Sequence, residues 1–162
     1  MKTLFRESQS FKQWWFWLLI SLFAIFAVVS FVLQIAFGVK IGNNPMSDMG
    51  LAITTSFILL LVLFFTSLRL DTRMDRYGIH VRFYPISRNF KLYRWSEMHS
   101  VTVREYHPLK EYGGWGIRFG KNGKVLSISG KQGVQIEMKD GVRLLIGTHK
   151  SQEAQKVIEE CF

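Results

Sequence analysis

Cysteine is nearly absent from this sequence, and its scarcity excludes two kinds of site. Cys161 is the single cysteine among 162 residues. The chain therefore cannot form an internal disulfide, and it cannot build a zinc site from several thiolates. This cysteine usage fits a reducing compartment.

Charge is absent from two long stretches. Residues 14–38 and residues 49–68 contain no aspartate, glutamate, lysine or arginine. An α-helix rises about 1.5 Å per residue and the hydrocarbon core of a bilayer is about 30 Å thick, so each stretch is long enough to cross a membrane. The sequence predicts two transmembrane helices at about 14–38 and 49–68, joined as a hairpin. The first stretch is too long for a signal peptide, and we expect both helices to be retained.

The basic residues around the hairpin predict its orientation. Lys40 is the one basic residue of the loop 39–48, whereas Arg69, Arg73 and Arg76 follow the second helix. The positive-inside rule then places the N-terminus and the C-terminal domain in the cytoplasm and the loop outside.

Residues 1–13 allow two interpretations. They combine the basic residues Lys2, Arg6 and Lys12 with a few apolar side chains. They form either a short amphipathic segment at the membrane interface or a frayed tail. We therefore group residues 1–68 as tail and hairpin, and residues 69–162 as one small domain.

From residue 69 onward the hydrophobic period changes to two. Apolar and polar residues alternate in 79–84, 101–105 and 134–138, which is typical of strands with one buried face. The predicted strands are 68–75, 78–84, 90–95, 100–106, 116–120, 125–129, 133–139 and 142–148. The connections are too short for helical crossovers, so we expect antiparallel pairing throughout.

The last segment returns to helical spacing. Ala154, Val157, Ile158 and Cys161 fall on one stripe of a helix over residues 151–161. A single amphipathic helix after a run of short strands is expected to close one end of a barrel or sandwich.

This order of elements resembles the pleckstrin-homology (PH) fold, and most closely the bacterial PH-like domains that follow a two-helix membrane hairpin. Three features carry the resemblance: Gly78-Ile79 at the start of a strand, the segment Tyr93–Met98, and the signature Tyr112–Arg118, with its Gly-Gly-Trp-Gly-Ile-Arg core. The resemblance implies an all-β PH-like barrel capped by a C-terminal α-helix, in the bacterial inner membrane. The group that it resembles is uncharacterised, so it implies no biochemical activity.

The signature also supplies the candidate binding residues. Its glycines permit unusual backbone angles, so that Trp115 would insert into a headgroup layer, grip a peptide or cover a pocket. The alternative is a β-bulge or sheet corner with Trp115 packed in the core. We expect Arg104 and Arg118 to line one mouth of the barrel. The candidate binding residues are Gly113, Gly114, Trp115, Gly116, Arg118 and Arg104.

Catalytic and metal-binding patterns are absent from the sequence. The four histidines, at 80, 99, 107 and 149, form no pair at metal-ligand spacing. No local context marks a serine or cysteine nucleophile. We expect no enzyme activity, no metal ion and no cofactor.

Two functions remain in competition. The first is a non-enzymatic, membrane-anchored interaction module that binds a membrane protein or further copies of itself through an open strand edge or the tryptophan loop. The second is a sensor of anionic lipid headgroups, because residues 69–162 carry seventeen Lys/Arg against ten Asp/Glu. Nucleic acid is not an expected partner. A solvated basic face is the simpler explanation of the charge.

Overall fold

The computed structural model describes residues 3–120 and 122–162 and divides the chain into two compact units. One unit is the helical hairpin, Lys12–Ser67. The other joins the residues up to Phe11 to the segment Leu68–Phe162, and we call it the β lobe.

Two long helices form the hairpin: α1, Trp14–Phe37, and α2, Asp48–Ser67. α1 ends where Gly38 adopts a left-handed backbone with φ of +68°. The Gly38 N–H donates to the Gln34 carbonyl at 3.1 Å, and the Val39 N–H donates to the Leu33 carbonyl at 3.0 Å. Both helices are long and apolar enough to cross a membrane. The two predicted helices are thus present, within a residue of the predicted bounds.

Polar groups of the hairpin bond inside it, while apolar groups face out. The Thr55 hydroxyl donates to the Ala27 carbonyl at 3.4 Å. Gln34 Nε2 donates to the Met46 carbonyl at 2.9 Å and to the Asp48 carboxylate at 2.7 Å. Most large apolar side chains of both helices are exposed. Polar groups inside and apolar side chains outside are the reverse of the arrangement in a water-soluble protein.

The β lobe contains two sheets. The strands in the described residues are β1 (Phe5–Ser10), β2 (Arg69–Met74), β3 (Gly78–Tyr84), β4 (Lys91–Arg94), β5 (Met98–Glu105), β6 (Gly116–Gly120), β7 (Gly123–Ser127), β8 (Gln132–Met138) and β9 (Arg143–Gly147). Sheet A has the order β1-β2-β3-β4, and sheet B has the order β5-β8-β9-β7-β6. Two helices complete the lobe, the short α3 (Pro108–Tyr112) and the C-terminal α4 (Ser151–Cys161).

The period-two pattern locates the strands well. Each of the eight predicted strands is present, with ends that shift by no more than two residues, and the helix over 151–161 is found as predicted. The pattern does not reveal α3, whose five residues are too few to show a helical period. A 3₁₀ turn over Trp95–Glu97 is also absent from the predicted elements.

The expectation of antiparallel pairing throughout is wrong at one pair. β7 runs parallel to β9, with Lys124 opposite Leu144 and Leu126 opposite Ile146. Parallel neighbours need a long connection, and residues 128–142, which include the whole of β8, provide it. The connection between the two parallel strands contains a strand instead of a helix. The alternation of apolar and polar side chains predicts where strands lie but not which strands pair with each other.

The structure places Phe5–Ser10 in the β lobe as a strand, where the sequence suggested a tail or an amphipathic segment. β1 pairs antiparallel with β2, from Phe5 opposite Met74 to Ser10 opposite Arg69. Its inward side chains are Phe5, Glu7 and Gln9, all buried. Because two of these three are polar, the strand lacks the apolar alternation by which the others were recognised. The hairpin is therefore inserted between two neighbouring strands of one sheet.

The buried faces of the sheets and of α4 form the interior of the β lobe. Sheet A contributes Leu70, Met74, Ile79, Val81 and Phe83; sheet B contributes Val134, Ile136, Leu144 and Ile146; α4 contributes Ala154, Val157 and Ile158. α4 packs against β5, β8 and β1, so it touches both sheets. The predicted stripe on the C-terminal helix is the face that is buried.

Glu7 and Gln9 connect β1 to the end of sheet B. The Glu7 carboxylate accepts hydrogen bonds from the Thr148 hydroxyl, from the His149 N–H at 2.8 Å and from Gln9 Nε2 at 3.0 Å. Gln9 Nε2 also donates to the Gly147 carbonyl at 2.7 Å. A buried carboxylate is tolerated when several donors satisfy it, and here two of the three donors lie about 140 residues away along the chain.

Glu7→Ala should destabilise the β lobe by about 2–3 kcal/mol, because it leaves the Thr148 hydroxyl and the His149 N–H without their buried acceptor. Thermal unfolding of the full chain in detergent, followed by the β-sheet circular dichroism signal, measures the change. The matched control is Ser8→Ala on the exposed side of the same strand, which should cost under ~1 kcal/mol. Equal melting temperatures for the two variants would contradict the placement of β1.

Candidate functional site

The glycine-rich segment turns the chain from α3 into β6. Gly113 ends α3 with φ of +71°, and its N–H bonds to the Leu109 carbonyl at 3.1 Å. Gly114 and Gly116 also have positive φ, of +131° and +112°. A residue with a side chain rarely adopts these angles, so the backbone path itself requires the three glycines.

Trp115 lies half-buried beside this turn and lines an open groove. Its indole Nε1 donates to the Gly130 carbonyl at 2.9 Å, which fixes the ring against the loop between β7 and β8. The groove has a volume of about 220 Å³ and is lined by His107, Pro108, Leu109, Lys110, Trp115 and Lys131. Leu109 is 69% exposed. We call this surface the Trp115 groove.

Arg104 lies on the outer face of sheet B, where its guanidinium binds residues of the lobe itself. Nη2 donates to the Glu111 carboxylate at 2.8 Å and to the Gln135 side-chain oxygen at 3.1 Å. The Glu111 carboxylate also accepts the His107 N–H at 2.8 Å and the Asn122 side-chain amide at 3.2 Å. The Arg104 hydrogen bond, with the backbone and Asn122 bonds, lowers the pKa of Glu111 to about 2 despite its partial desolvation. Arg104 thus holds α3 on the sheet.

A small apolar cluster beneath α3 also holds this helix on sheet B. Tyr106, Tyr112, Val125 and Leu145 are buried together on the outer face of sheet B. The two tyrosine rings meet edge to face, with centroids 6.1 Å apart. α3 is therefore anchored on two sides, by packing and by the Arg104–Glu111 pair, and it presents Leu109 to solvent.

Arg118 lies on β6, at the edge of sheet B. Its side chain is exposed, and Nε donates weakly to the Trp115 carbonyl at 3.4 Å. In the part of the chain that the structure describes, β6 has a strand neighbour, β7, on one side only. Phe119 on the same strand is 77% exposed, with the Lys124 ammonium 5.7 Å from its ring centroid.

The candidate residues therefore separate into two groups. Gly113, Gly114, Trp115 and Gly116 shape the Trp115 groove and the start of β6, and Arg118 follows on that strand. Arg104 is committed to Glu111 and Gln135 and supports the groove from beneath. The sequence did not reveal that Leu109 and Lys131 would complete the groove. Leu109 lies on α3, which was not predicted, and Lys131 lies in the loop between β7 and β8.

A second surface, the outer face of sheet A, was indicated only in part by the arginines around the β2–β3 turn. It carries Arg6 from β1, Arg69 and Arg73 from β2, and Arg82 from β3, with Asp71 among them. The alternation in β2 and β3 gives part of this signal. The contribution of Arg6 depends on the pairing of β1 with β2, which no local pattern shows.

Two of the histidines make side-chain contacts with a hydroxyl or a carboxylate. Ser129 Oγ lies 3.0 Å from His149 Nε2, and His80 Nε2 lies 2.9 Å from the Asp75 carboxylate. Within residues 3–120 and 122–162 no three metal-ligating side chains come together.

No family model matches the sequence, and neither a curated protein nor a solved structure is significantly similar to it.

Loss of the Glu111 charge should loosen α3 in a pH-dependent way. The pKa of Glu111 is about 2 in the folded protein against an ordinary 4.5, so its contribution is complete above about pH 4.5 and is lost as the pH falls towards 2. At neutral pH, Glu111→Gln should cost about 1–2 kcal/mol, since partial exposure and salt reduce the full linkage value. Urea unfolding at several pH values measures the gap between the two proteins. A gap that persists at pH 2 would contradict this assignment.

Proposed function

We propose that this protein is a non-enzymatic, membrane-anchored interaction module. The hairpin spans the bacterial inner membrane, and the β lobe is a PH-like domain that faces the cytoplasm and binds a membrane protein or another copy of the chain. The observation that carries the proposal is the Trp115 groove beside the open edge of β6. It is an accessible apolar surface with a basic rim, built on a rigid part of the lobe.

The anchor follows from the surface of the hairpin. Exposed apolar side chains cover both helices, including Phe23, Phe26, Phe57 and Leu60, each about 60% exposed. Soluble monomers rarely expose apolar patches of that extent, and a bilayer would cover them. The basic residues that flank the hairpin favour a cytoplasmic β lobe by the positive-inside rule.

The layout of the β lobe supports a PH-like fold. A first sheet of short antiparallel strands is followed by a second sheet and by one C-terminal helix that packs on both. Two features depart from the expected pattern: β1 precedes the hairpin, and sheet B has five strands with one parallel pair. We therefore propose a PH-like lobe with these two additions.

The Trp115 groove suits a protein partner. Its floor is apolar, Leu109 projects from α3, and Lys110 and Lys131 stand at its rim. An acidic segment with one apolar side chain complements that surface. The neighbouring edge of β6 offers backbone groups to which an extended segment adds as a further strand.

The ionisable groups favour binding over catalysis. Burial would raise the pKa of Asp71, but hydrogen bonds from Ser8 and Arg82 lower it overall. The pKa of Asp75 is likewise lowered against its burial, by the N–H groups of its turn and by His80. Both carboxylates, like Glu111, are held ionised by internal partners, so their shifts have structural causes.

The anchor predicts how the protein fractionates. The full chain should stay in the membrane pellet after alkaline carbonate extraction and be released by detergent, because the bilayer covers the exposed apolar surface. A reporter fused after Phe162 should be active in its cytoplasmic form and inactive in its periplasmic form. Release by carbonate, or a periplasmic signal, would contradict the proposal.

The groove predicts a specific cross-link. With the photoreactive residue p-benzoylphenylalanine in place of Leu109, irradiation of cells should give a discrete adduct, either at twice the chain mass or with a distinct partner. The matched control is the same residue in place of Ile86, which is 61% exposed in the β3–β4 connection and should give none. Adducts of equal yield at both positions, or at neither, would contradict docking at the groove.

Anionic lipid is the second candidate ligand, and one observation favours it. The sequence pointed to Trp115 and to the arginines, including those around the β2–β3 turn, as lipid-binding residues. Among the described residues, Arg6, Arg69 and Arg73 lie together on the outer face of sheet A without an ion pair, and this face is separate from the groove.

A further inference from the structure

The outer face of sheet A has an ordered arrangement of charge. The pairing of β1, β2 and β3 aligns their exposed residues in rows across the sheet. One row is Arg6, Arg73 and His80; the next is Ser8, Asp71 and Arg82; the third is Ser10, Arg69 and Tyr84. Four arginines thus share a face with one strand carboxylate, that of Asp71.

Asp71 neutralises only part of this charge. Its carboxylate accepts a hydrogen bond from Arg82 Nε at 3.0 Å and another from the Ser8 hydroxyl at 2.6 Å. Among the described residues, Arg6, Arg69 and Arg73 form no ion pair with a carboxylate. Three guanidinium groups of the face are therefore free to bind an external anion.

Stacking on one aromatic ring positions two arginines of this face, and a third arginine lies against one of them. The guanidinium carbons of Arg73 and Arg82 lie 4.5 and 4.6 Å from the centroid of the Phe90 ring, so both stack on one aromatic side chain. Arg6 lies directly opposite Arg73, and like charges in such a cross-strand pair repel each other. Arg73 Nε is buried and has no hydrogen-bond partner. A bound anion would relieve the repulsion between the two arginines.

Chain continuity identifies where that anion would come from. Three residues separate Ser10 from the start of α1, and Leu68 alone separates α2 from Arg69. The row that contains Ser10 and Arg69 is therefore within a few residues of both proposed membrane helices. Such a tether keeps the face at a high effective concentration near lipid headgroups. A bilayer also offers many phosphates in one plane, which suits a sheet face.

We propose that the outer face of sheet A binds the phosphate groups of anionic phospholipids and so docks the β lobe on the membrane surface. The docking rests on the anchoring part of the proposed function and is independent of the Trp115 groove. Each basic residue near an anionic surface contributes modestly, so the lobe exchanges between a docked and a free state. Docking would leave the groove available to a partner.

The test uses the full chain with Cys161→Ser and Ser8→Cys, labelled with bimane and placed in nanodiscs. Ser8 is exposed on the same face. In nanodiscs that contain phosphatidylglycerol, quenching of the label by the neutral quencher acrylamide should fall several-fold relative to pure phosphatidylcholine. The protection should disappear as sodium chloride is raised, because salt screens the interaction.

Two charge-matched variants assign the effect. Arg6→Gln with Arg69→Gln removes two exposed cations from the face and should reduce the ratio of docked to free lobe roughly tenfold or more. Lys150→Gln with Lys156→Gln removes two exposed cations at α4 and should leave the ratio unchanged. Melting temperatures of both variants close to that of the parent confirm that the lobe stays folded.

Three outcomes overturn the proposal. Equal quenching in the two nanodiscs excludes docking on anionic lipid while leaving the anchor intact. Reversal by inorganic phosphate, at an ionic strength where chloride has no effect, assigns the face to a soluble oxyanion. Failure of the chain to enter either nanodisc removes the anchor itself, and the docking with it.

Discussion

The buried carboxylate of Glu7 ties the first strand of the chain to the last turn of sheet B. It accepts donors from Thr148 and His149, so β1 is held at its inner face as well as along its edge with β2. A buried charge is stable only where such donors converge. This contact joins sheet A to the end of sheet B, and the helical hairpin is an insertion between two neighbouring strands of sheet A.

Because of that insertion, both ends of the hairpin connect to the same pair of strands. Its two ends leave from Ser10 and Arg69, which lie opposite each other in one antiparallel pair. The exposed face of the same strands carries Arg6, Arg69 and Arg73, so the ends of the hairpin and this surface charge belong to one strand pair.

The Trp115 groove depends on a different set of contacts. α3 has only five residues and cannot persist as an isolated helix. It is held by the tyrosine cluster beneath it and by the Arg104–Glu111 ion pair at its side. Arg104 thus contributes to the groove without touching a ligand there. The groove lies beside sheet B and the basic face lies on sheet A, so the two proposed ligands would not compete for one surface.

The sequence by itself determined the parts of this protein that depend on local periodicity. Uncharged stretches fixed two helices, alternation fixed eight strands, and a single stripe fixed α4, because each pattern reports which side chains leave water. Tertiary structure decided the contacts and the strand pairing between elements that are distant in the chain. β1 became a strand because Thr148 and His149 satisfy Glu7. β7 and β9 became parallel because β8 pairs on the far side of β9 before the chain turns back. Arg6 joined Arg69 and Arg73 only through strand pairing. The local signature around Trp115 located one part of the groove, whereas the basic face of sheet A is assembled from distant strands and no local pattern contained it.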